Sequence, residues 1–511
     1  MKKTITILAL CLIGTLSFAQ QAPALQWQKC LGGTDIDEAT SIQPTPDGGY
    51  IVAGTTWSID GDVPGNHGGD DVWVVKLSST GNLQWQKAFG GTNYEQAYSI
   101  QTTPDGGYIV AGNATSNNGD VTGNHGGSDT WVVKISSTGS LQWQKCLGGT
   151  GNDEARSVQL TPDGGYIMAG STQSNNGDVT GNNGNSDAWV VKLSATGSLD
   201  WQKNLGGTGT DYAQSIQLTT DGGYIVAGVT NSTNGDVTGN HGNSDAWVVK
   251  LNSTGSLQWQ KCLGGTSGDY AFSIQLTPDG GYILAGETFS NDGDVTGNHG
   301  GYDAWIVKLN STGSLEWQKA LGGTVSDEAR SIQITPDGSY IMAGYSYSTD
   351  GNVTGNHGSD DVWIVKLSST GILQWQKSLG GTNYDIANSI QTTLDGGYIV
   401  AGYTHSNDYN VTGYHGGNDY WVVKLGPELF TTGFEKEAVV VYPNPAKTQL
   451  TVQNNNQTPF EKIVITDLMG KIVLTQTAPT SQVNVATLAN GMYILTAFSG
   501  EEQWVSKFVK E

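Results

Sequence analysis

The sequence predicts an all-β protein, a seven-bladed β-propeller followed by a small C-terminal β-sandwich. Three observations lead there. Trp27, Trp85, Trp143, Trp201, Trp259, Trp317 and Trp375 recur every 58 residues, and Trp73, Trp131, Trp189, Trp247, Trp305, Trp363 and Trp421 keep the same period. Each unit holds four short apolar runs separated by turn residues, which is the pattern of one propeller blade. The two ends of the repeat array are incomplete in complementary ways, so they close on each other.

Taken in order, the chain begins with Lys2 and Lys3, an apolar stretch from Ile5 to Leu16, and the small-x-small site Ser17-Phe18-Ala19. This reads as an export signal over residues 1–19, and the stretch is too short for a bilayer span. The propeller is expected over 20–425. Within one unit, Ala97–Gln101 gives a first strand, and Pro104-Asp105-Gly106-Gly107 a tight turn, with glycine tolerating positive φ. Tyr108–Gly112 forms a second strand and Trp131–Lys134 a third. Ser136-Ser137-Thr138-Gly139 then turns the chain into Leu141–Lys145, the fourth. The first unit opens on a fourth-type strand at Leu25 with no third strand before it. The last ends on a third-type strand at Trp421–Leu425. Pairing 25–31 with 421–425 removes both exposed edges. The alternative, an open solenoid, would need capping repeats.

The recurring D-G-G-Y-I-x-A-G and W-x-V-K-L segments resemble the glycine- and tryptophan-rich propeller repeats of bacterial surface proteins. The turn Ser79-Thr80-Gly81 before Trp85 is similar to the T-G-x-x-x-W portion of quinoprotein propellers, but no residue places a quinone or its metal. Cys30, Cys146 and Cys262 hold one repeat position in alternate blades, too far apart to bridge, and read as small buried residues.

After a linker at 426–438, residues 439–511 alternate apolar and polar positions around turn signals, a β-sandwich. Tyr442-Pro443-Asn444-Pro445, then Asp467-Leu468-Met469-Gly470-Lys471, then Asn490-Gly491-Met492-Tyr493 resemble the type A C-terminal sorting domain of the Bacteroidetes type IX secretion system. The resemblance implies recognition by an outer-membrane translocon and delivery to the cell surface or the medium. Tyr442, Pro443, Asn444, Pro445, Asp467, Gly470, Lys471, Asn490, Gly491 and Tyr493 are the candidate sorting residues, with Tyr493 and Ile465 also readable as core.

Between residues 21 and 426, 39 acidic residues against 16 basic ones leave a net charge of −23. That disfavours nucleic acid and anionic membranes as partners. The repeated lysines of the third and fourth strands are expected on the outer wall. The tight turns should occupy one face of the ring, and the Gly-Gly-Thr crossings and long loops the other. Asp37, Glu95, Asp153, Asp211, Asp269, Asp327 and Asp385 should recur at the channel mouth. There they either hold their own turns through backbone N–H groups or form a shared ring that attracts a cation. Asp62, Asp120, Asp178, Asp236 and Asp294 recur in the long loops, replaced by Asn352 and Asn410 in the last two units, and are candidate calcium ligands.

Nearly every polar residue repeats, whereas catalysis needs unequal roles. A binding, adhesion or scaffold role is therefore expected, the alternative being a secreted hydrolase or lyase acting on a glycan at the channel face. Trp57, Phe289, Tyr345, Tyr347, His405 and Tyr409 break the repeat on or near the long-loop face. They are the candidate contacts for an extracellular glycan or protein ligand.

Overall fold

A computed structural model describes residues 21–428, 439–454, 460–467, 471–477, 481–499 and 502–511. The expected signal segment and most of the linker lie outside the described residues. Residues 21–428 and the C-terminal residues form two separate compact units.

The first unit is seven four-stranded antiparallel sheets. In blade one the strands run from the innermost outward as Asp37–Pro44, Tyr50–Thr56, Asp71–Leu77 and Leu83–Phe89, and the others follow the same order. Blade seven takes its outermost strand from the start of the chain. Leu25–Leu31 pairs antiparallel with Asp419–Leu425, Leu25 opposite Leu425 and Leu31 opposite Tyr420. The expected closure is what the structure shows.

Each innermost strand has a register break after its alanine, as between Ala39 and Ser41. Beyond it, a serine of one blade meets the next. Ile100 N donates to Ser41 Oγ at 3.2 Å, and the series continues around the ring until Ile42 N donates to Ser389 Oγ at 3.3 Å. The bulge satisfies an inner-edge donor that would otherwise face the channel unpaired.

The two tryptophan series do different work. Third-strand Trp73 and its equivalents are buried between blades. Each indole N–H donates to a glutamine of the outermost strand, Trp73 to Gln86 Oε1 at 2.9 Å and Trp421 to Gln28 Oε1 at 2.8 Å. Outermost-strand Trp27 packs on the next blade, 5.9 Å from the Tyr50 ring and against Gly81. That glycine has φ +76°, and a Cβ there would lie 2.9 Å from the indole. The Thr-Gly turn and the tryptophan are thus one inter-blade contact. Cys30, Cys146 and Cys262 are buried and unbridged.

The third-strand lysines depart from expectation. Lys76, Lys134, Lys192, Lys250, Lys308, Lys366 and Lys424 are buried, not displayed on the wall. Lys76 Nζ donates to Asp47 Oδ2 at 2.9 Å, to the Leu77 carbonyl at 3.1 Å and to Gln84 Oε1 at 3.1 Å. Both faces of the third strand are covered, so the alternation of a half-exposed sheet does not apply. A buried ammonium persists only where its donors are met. On the carboxylate side, the Thr103 hydroxyl and then Lys134 hold Asp105 at about 2. The Asp-Gly-Gly turn makes room, because a Cβ on Gly49 would come within 2.5 Å of Lys76 Nζ. In blade six Ser339 stands at that position, and Lys366 reaches Asp337 at 3.0 Å and Glu428 at 2.7 Å. Glu428 also accepts from the Tyr398 hydroxyl at 2.5 Å and from Trp375 Nε1 at 3.3 Å. The expected linker therefore begins beyond Glu428.

The C-terminal unit is the expected sandwich. Three strands, Val439–Tyr442, Gln449–Asn454 and Gln482–Asn484, form one sheet. Ile472–Thr477, Lys462–Thr466, Gly491–Ser499 and Glu502–Lys510 form the other. Leu450, Val452, Ile463, Ile465, Leu495 and Phe508 fill the space between.

Candidate functional site

The repeated carboxylates are engaged in holding the ring. Asp37 is fully buried. Its Oδ2 accepts from Gly33 N and Ser58 Oγ, both at 2.8 Å, and its Oδ1 from the Thr56 hydroxyl. Asp153, Asp211, Asp269 and Asp385 are held by the same set, and Asp327 by one in which Ser346 stands for the threonine. In blade two the threonine is replaced by Ala114. There the longer Glu95 accepts from Gly91 N at 2.7 Å and Ser116 N at 2.9 Å. All seven are 0 % exposed, so they line no open channel mouth; the turn-holding alternative describes their geometry.

The loop aspartates are equally local. Asp62, Asp120, Asp178, Asp236 and Asp294 each accept, at 3.3–3.4 Å, from the first glycine of the crossing loop. Asn352 and Asn410 do the same at 3.1 and 3.2 Å. They stand one per blade, and among the described residues no three His, Cys, Asp or Glu side chains group to hold a metal. The loop histidines also serve their own loops, as where His67 Nδ1 lies 2.6 Å from Asp71 Oδ2.

What differs between blades lies elsewhere. On each innermost strand the second and fourth residues are mostly half-buried and alternate with buried ones. These positions carry Glu38, Gln96, Glu154, Tyr212, Tyr270, Glu328 and Ile386, then Thr40, Tyr98, Arg156, Gln214, Phe272, Arg330 and Asn388. Arg156 Nη2 donates to Glu154 Oε2 at 2.9 Å and its guanidinium lies 4.0 Å from the centre of the Tyr98 ring. Arg330 Nε donates to Glu328 Oε1 at 2.7 Å, and its Nη1 to Asn388 Oδ1 of the next blade at 2.6 Å. Four of the six aromatic candidates share one repeat position just past the second strand. It carries Trp57, Thr115, Gln173, Asn231, Phe289, Tyr347 and His405 in blades one to seven.

The long-loop face is therefore divided. At this position blades five, six, seven and one, contiguous around the closed ring, carry aromatic rings, although blade two presents the exposed Tyr94 on its crossing loop. Blades two, three and four present Thr115, Gln173 and Asn231. Trp57, Phe289, Tyr347 and Tyr409 are 46 %, 49 %, 42 % and 66 % exposed. Tyr345 and His405 are half-buried supports. Tyr345 donates to Glu328 Oε2 at 2.5 Å and meets Tyr347 edge-on at 5.9 Å. His405 stacks on Tyr384 at 4.9 Å. Phe289 lies 5.0 Å from Tyr302, and Tyr409 lies 4.8 Å from His357.

Sequence reasoning missed Glu38, Glu287, Tyr302, Glu328, Arg330, Asp360 and Asn388 in this sector. The signal available was variation inside an otherwise constant unit, together with Arg156 and Arg330, the only arginines of the repeats. Burial first, and then the neighbouring Glu328 carboxylate, raises Glu287 to about 8, against the lowering influence of Arg330. Burial likewise raises Asp360 to about 6.

In the C-terminal unit, Tyr442, Pro443, Asn444 and Pro445 are exposed. Asn444 Oδ1 accepts from Val509 N at 2.9 Å, fixing this opening to the last strand. Asp467 Oδ1 accepts from Lys471 N at 3.0 Å; Gly470 lies outside the described residues. Asn490 and Gly491 are exposed, whereas Tyr493 is buried against Phe508 at 5.7 Å, with its hydroxyl on the Ala489 carbonyl at 2.9 Å.

Residues 440–511 match a family model described as a secretion system C-terminal sorting domain. The chain is accordingly a secreted, cell-surface-associated protein. It is 23% identical over 424 residues to the regulatory protein FlaEY of Caulobacter vibrioides, covering 72% of this chain and 43% of that protein. The chain thus spans less than half the length of that relative. Among solved structures, the Pan2 WD40 domain of Neurospora crassa matches with a TM-score of 0.44 and 11% identity, over 78% of this chain and 95% of that one. PorZ, a surface component of the type IX secretion system of Porphyromonas gingivalis, matches with a TM-score of 0.33 and 12% identity, over 91% of this chain and 73% of that one.

Proposed function

We propose that this is a binding or adhesion protein of the cell surface, whose ligand seats on the aromatic half of the long-loop face. We propose too that it leaves the cell through a type IX outer-membrane translocon of the Bacteroidetes kind, after residues 1–19 carry it across the inner membrane. The matched sorting domain and the exposed Tyr442-Pro443-Asn444-Pro445 opening support the export route.

One observation carries the binding reading: at the repeat position just past the second strand, aromatic rings are confined to four contiguous blades of an otherwise near-repeating ring. Turn-holding residues recur in every blade because every blade needs them, and Trp57, Phe289 and Tyr347 do not recur. Large planar side chains with a few polar neighbours are the usual anchors of recognition surfaces.

Arrays of extracellular glycans and proteins, probed with the full mature chain, test this. Ligands captured by the wild type should be lost by the triple variant Trp57→Ala, Phe289→Ala, Tyr347→Ala, with each anchor contributing about 2 kcal/mol, or about thirtyfold in affinity. The triple variant Thr115→Ala, Gln173→Ala, Asn231→Ala of the polar half should retain them. Equal loss from both, or from neither, overturns the assignment.

A further inference from the structure

Glu287 is a half-buried carboxylate of the ring. It lies on the second strand of blade five, opposite Tyr270 in the ladder and two residues before Phe289. Among the described residues no hydrogen bond or ion pair to its carboxyl is present, whereas its neighbour Glu328 is held by Arg330 and Tyr345. The one nearby cation cannot serve it. Arg330 is committed to Glu328 and Asn388, with its guanidinium 5.1 Å from the centre of the Tyr345 ring.

We propose that the Glu287 carboxyl receives a lysine or arginine side chain of a basic partner protein docked on the aromatic half of the long-loop face. The inference rests on the binding reading above and gives that face its class of ligand. A half-buried carboxyl without a donor beside aromatic rings is completed by a cation, which the rings attract through their faces. The chain as a whole carries −23, complementary to a basic surface. A protein fits the rim better than a sugar does. Ile59 and Val325, 80% and 49% exposed on the same half, are aliphatic, and branched aliphatic groups suit an apolar protein contact rather than a sugar ring.

Proton linkage follows. The groups facing Glu287 are Tyr270 of its own blade's innermost strand, Tyr302 at the approach to the third strand, and Glu328, Arg330 and Tyr345 of blade six. Tyr302 and Tyr345 are pushed above the ordinary tyrosine value by burial and stay neutral near pH 7, and Arg330 stays charged. With Glu287 raised to about 8, the empty site holds the neutral acid at pH 7. An incoming cation ionises it and displaces its proton, so binding strengthens as pH rises towards 8 and levels off above it.

The test uses the full mature chain with three probes: a lysine-rich peptide, the same peptide with its lysines acetylated, and a neutral N-acetylglucosamine oligosaccharide. Calorimetry should show the unmodified peptide binding, with affinity rising close to tenfold per pH unit below about pH 8. Acetylation should weaken it by about tenfold or more, the scale of one lost charge-assisted contact. Glu287→Gln should abolish the pH dependence and reduce the preference for free lysine, with an unchanged melting temperature, while Asp35→Asn, at an exposed carboxylate of the same half, leaves both intact. Equal binding of the two peptides, absence of peptide binding, or an unaltered Glu287→Gln variant overturns the proposal. Oligosaccharide binding that the aromatic triple variant removes would leave the face correct and its occupant wrong. Peptide binding indifferent to that variant would count against the face itself.

Discussion

Removal of residues 25–31 is expected to cost the propeller its cooperative unfolding. That strand supplies the fourth member of blade seven, in register with Tyr420–Leu425. It also supplies Trp27 to blade one and Gln28 to the Trp421 indole. Its loss opens a strand edge and uncovers the inter-blade core on two sides. A single buried tryptophan replaced by alanine costs about 3–5 kcal/mol, and a domain's whole margin is about 5–15 kcal/mol. Losing the strand should therefore consume most or all of the stability, and the exposed edge should drive association. Thermal unfolding and amide exchange at 421–425 read this directly. Gln28→Ala, which removes the indole's acceptor and the amide's bonds to Thr412 but leaves the strand in place, should cost about 1–3 kcal/mol and keep a single transition. A deletion variant as stable as the parent would mean that the ring does not depend on this strand.

The second large effect is on location. Deleting residues 440–511 removes the matched sorting domain while leaving the propeller's own contacts, Glu428 included, in place. The truncated chain is expected to fold, to cross the inner membrane, and to accumulate in the periplasm, with near-complete loss from the surface and the medium. Fractionation of cells expressing the two forms measures this. Undiminished surface display of the truncated form would contradict export through the C-terminal domain.

How much of this was legible in the sequence differs by feature. The blade count and the closing pair were, because the Trp27 and Trp73 series fix the register and the orphan strands are visible at both ends. The lysines were not. W-V-V-K-L reads as an alternating strand with Lys outward, yet the third strand is covered on both faces. The acceptor that makes Lys76 tolerable there, Asp47, lies in a turn 29 residues earlier. The acidic ring was half legible. Its periodicity was plain, but the burial that turns Asp37 from a channel group into a turn anchor depends on Gly33, Thr56 and Ser58 converging on it. The site was legible in its rim and hidden in its floor. Trp57, Phe289 and Tyr347 stand out as aromatics where other units have polar residues. Glu287 and Arg330 look ordinary until the ring places blades five and six side by side.

Recognition is expected on one half of one face. Hydrogen exchange of the full mature chain, with and without its bound ligand, tests it most directly. Slowed exchange is expected around residues 57–59, 287–289, 326–330, 345–347 and 384–388, with no change at 113–117, 171–175 and 229–233. Protection centred on those three polar segments, or on the Asp-Gly-Gly turns of the opposite face, would contradict it.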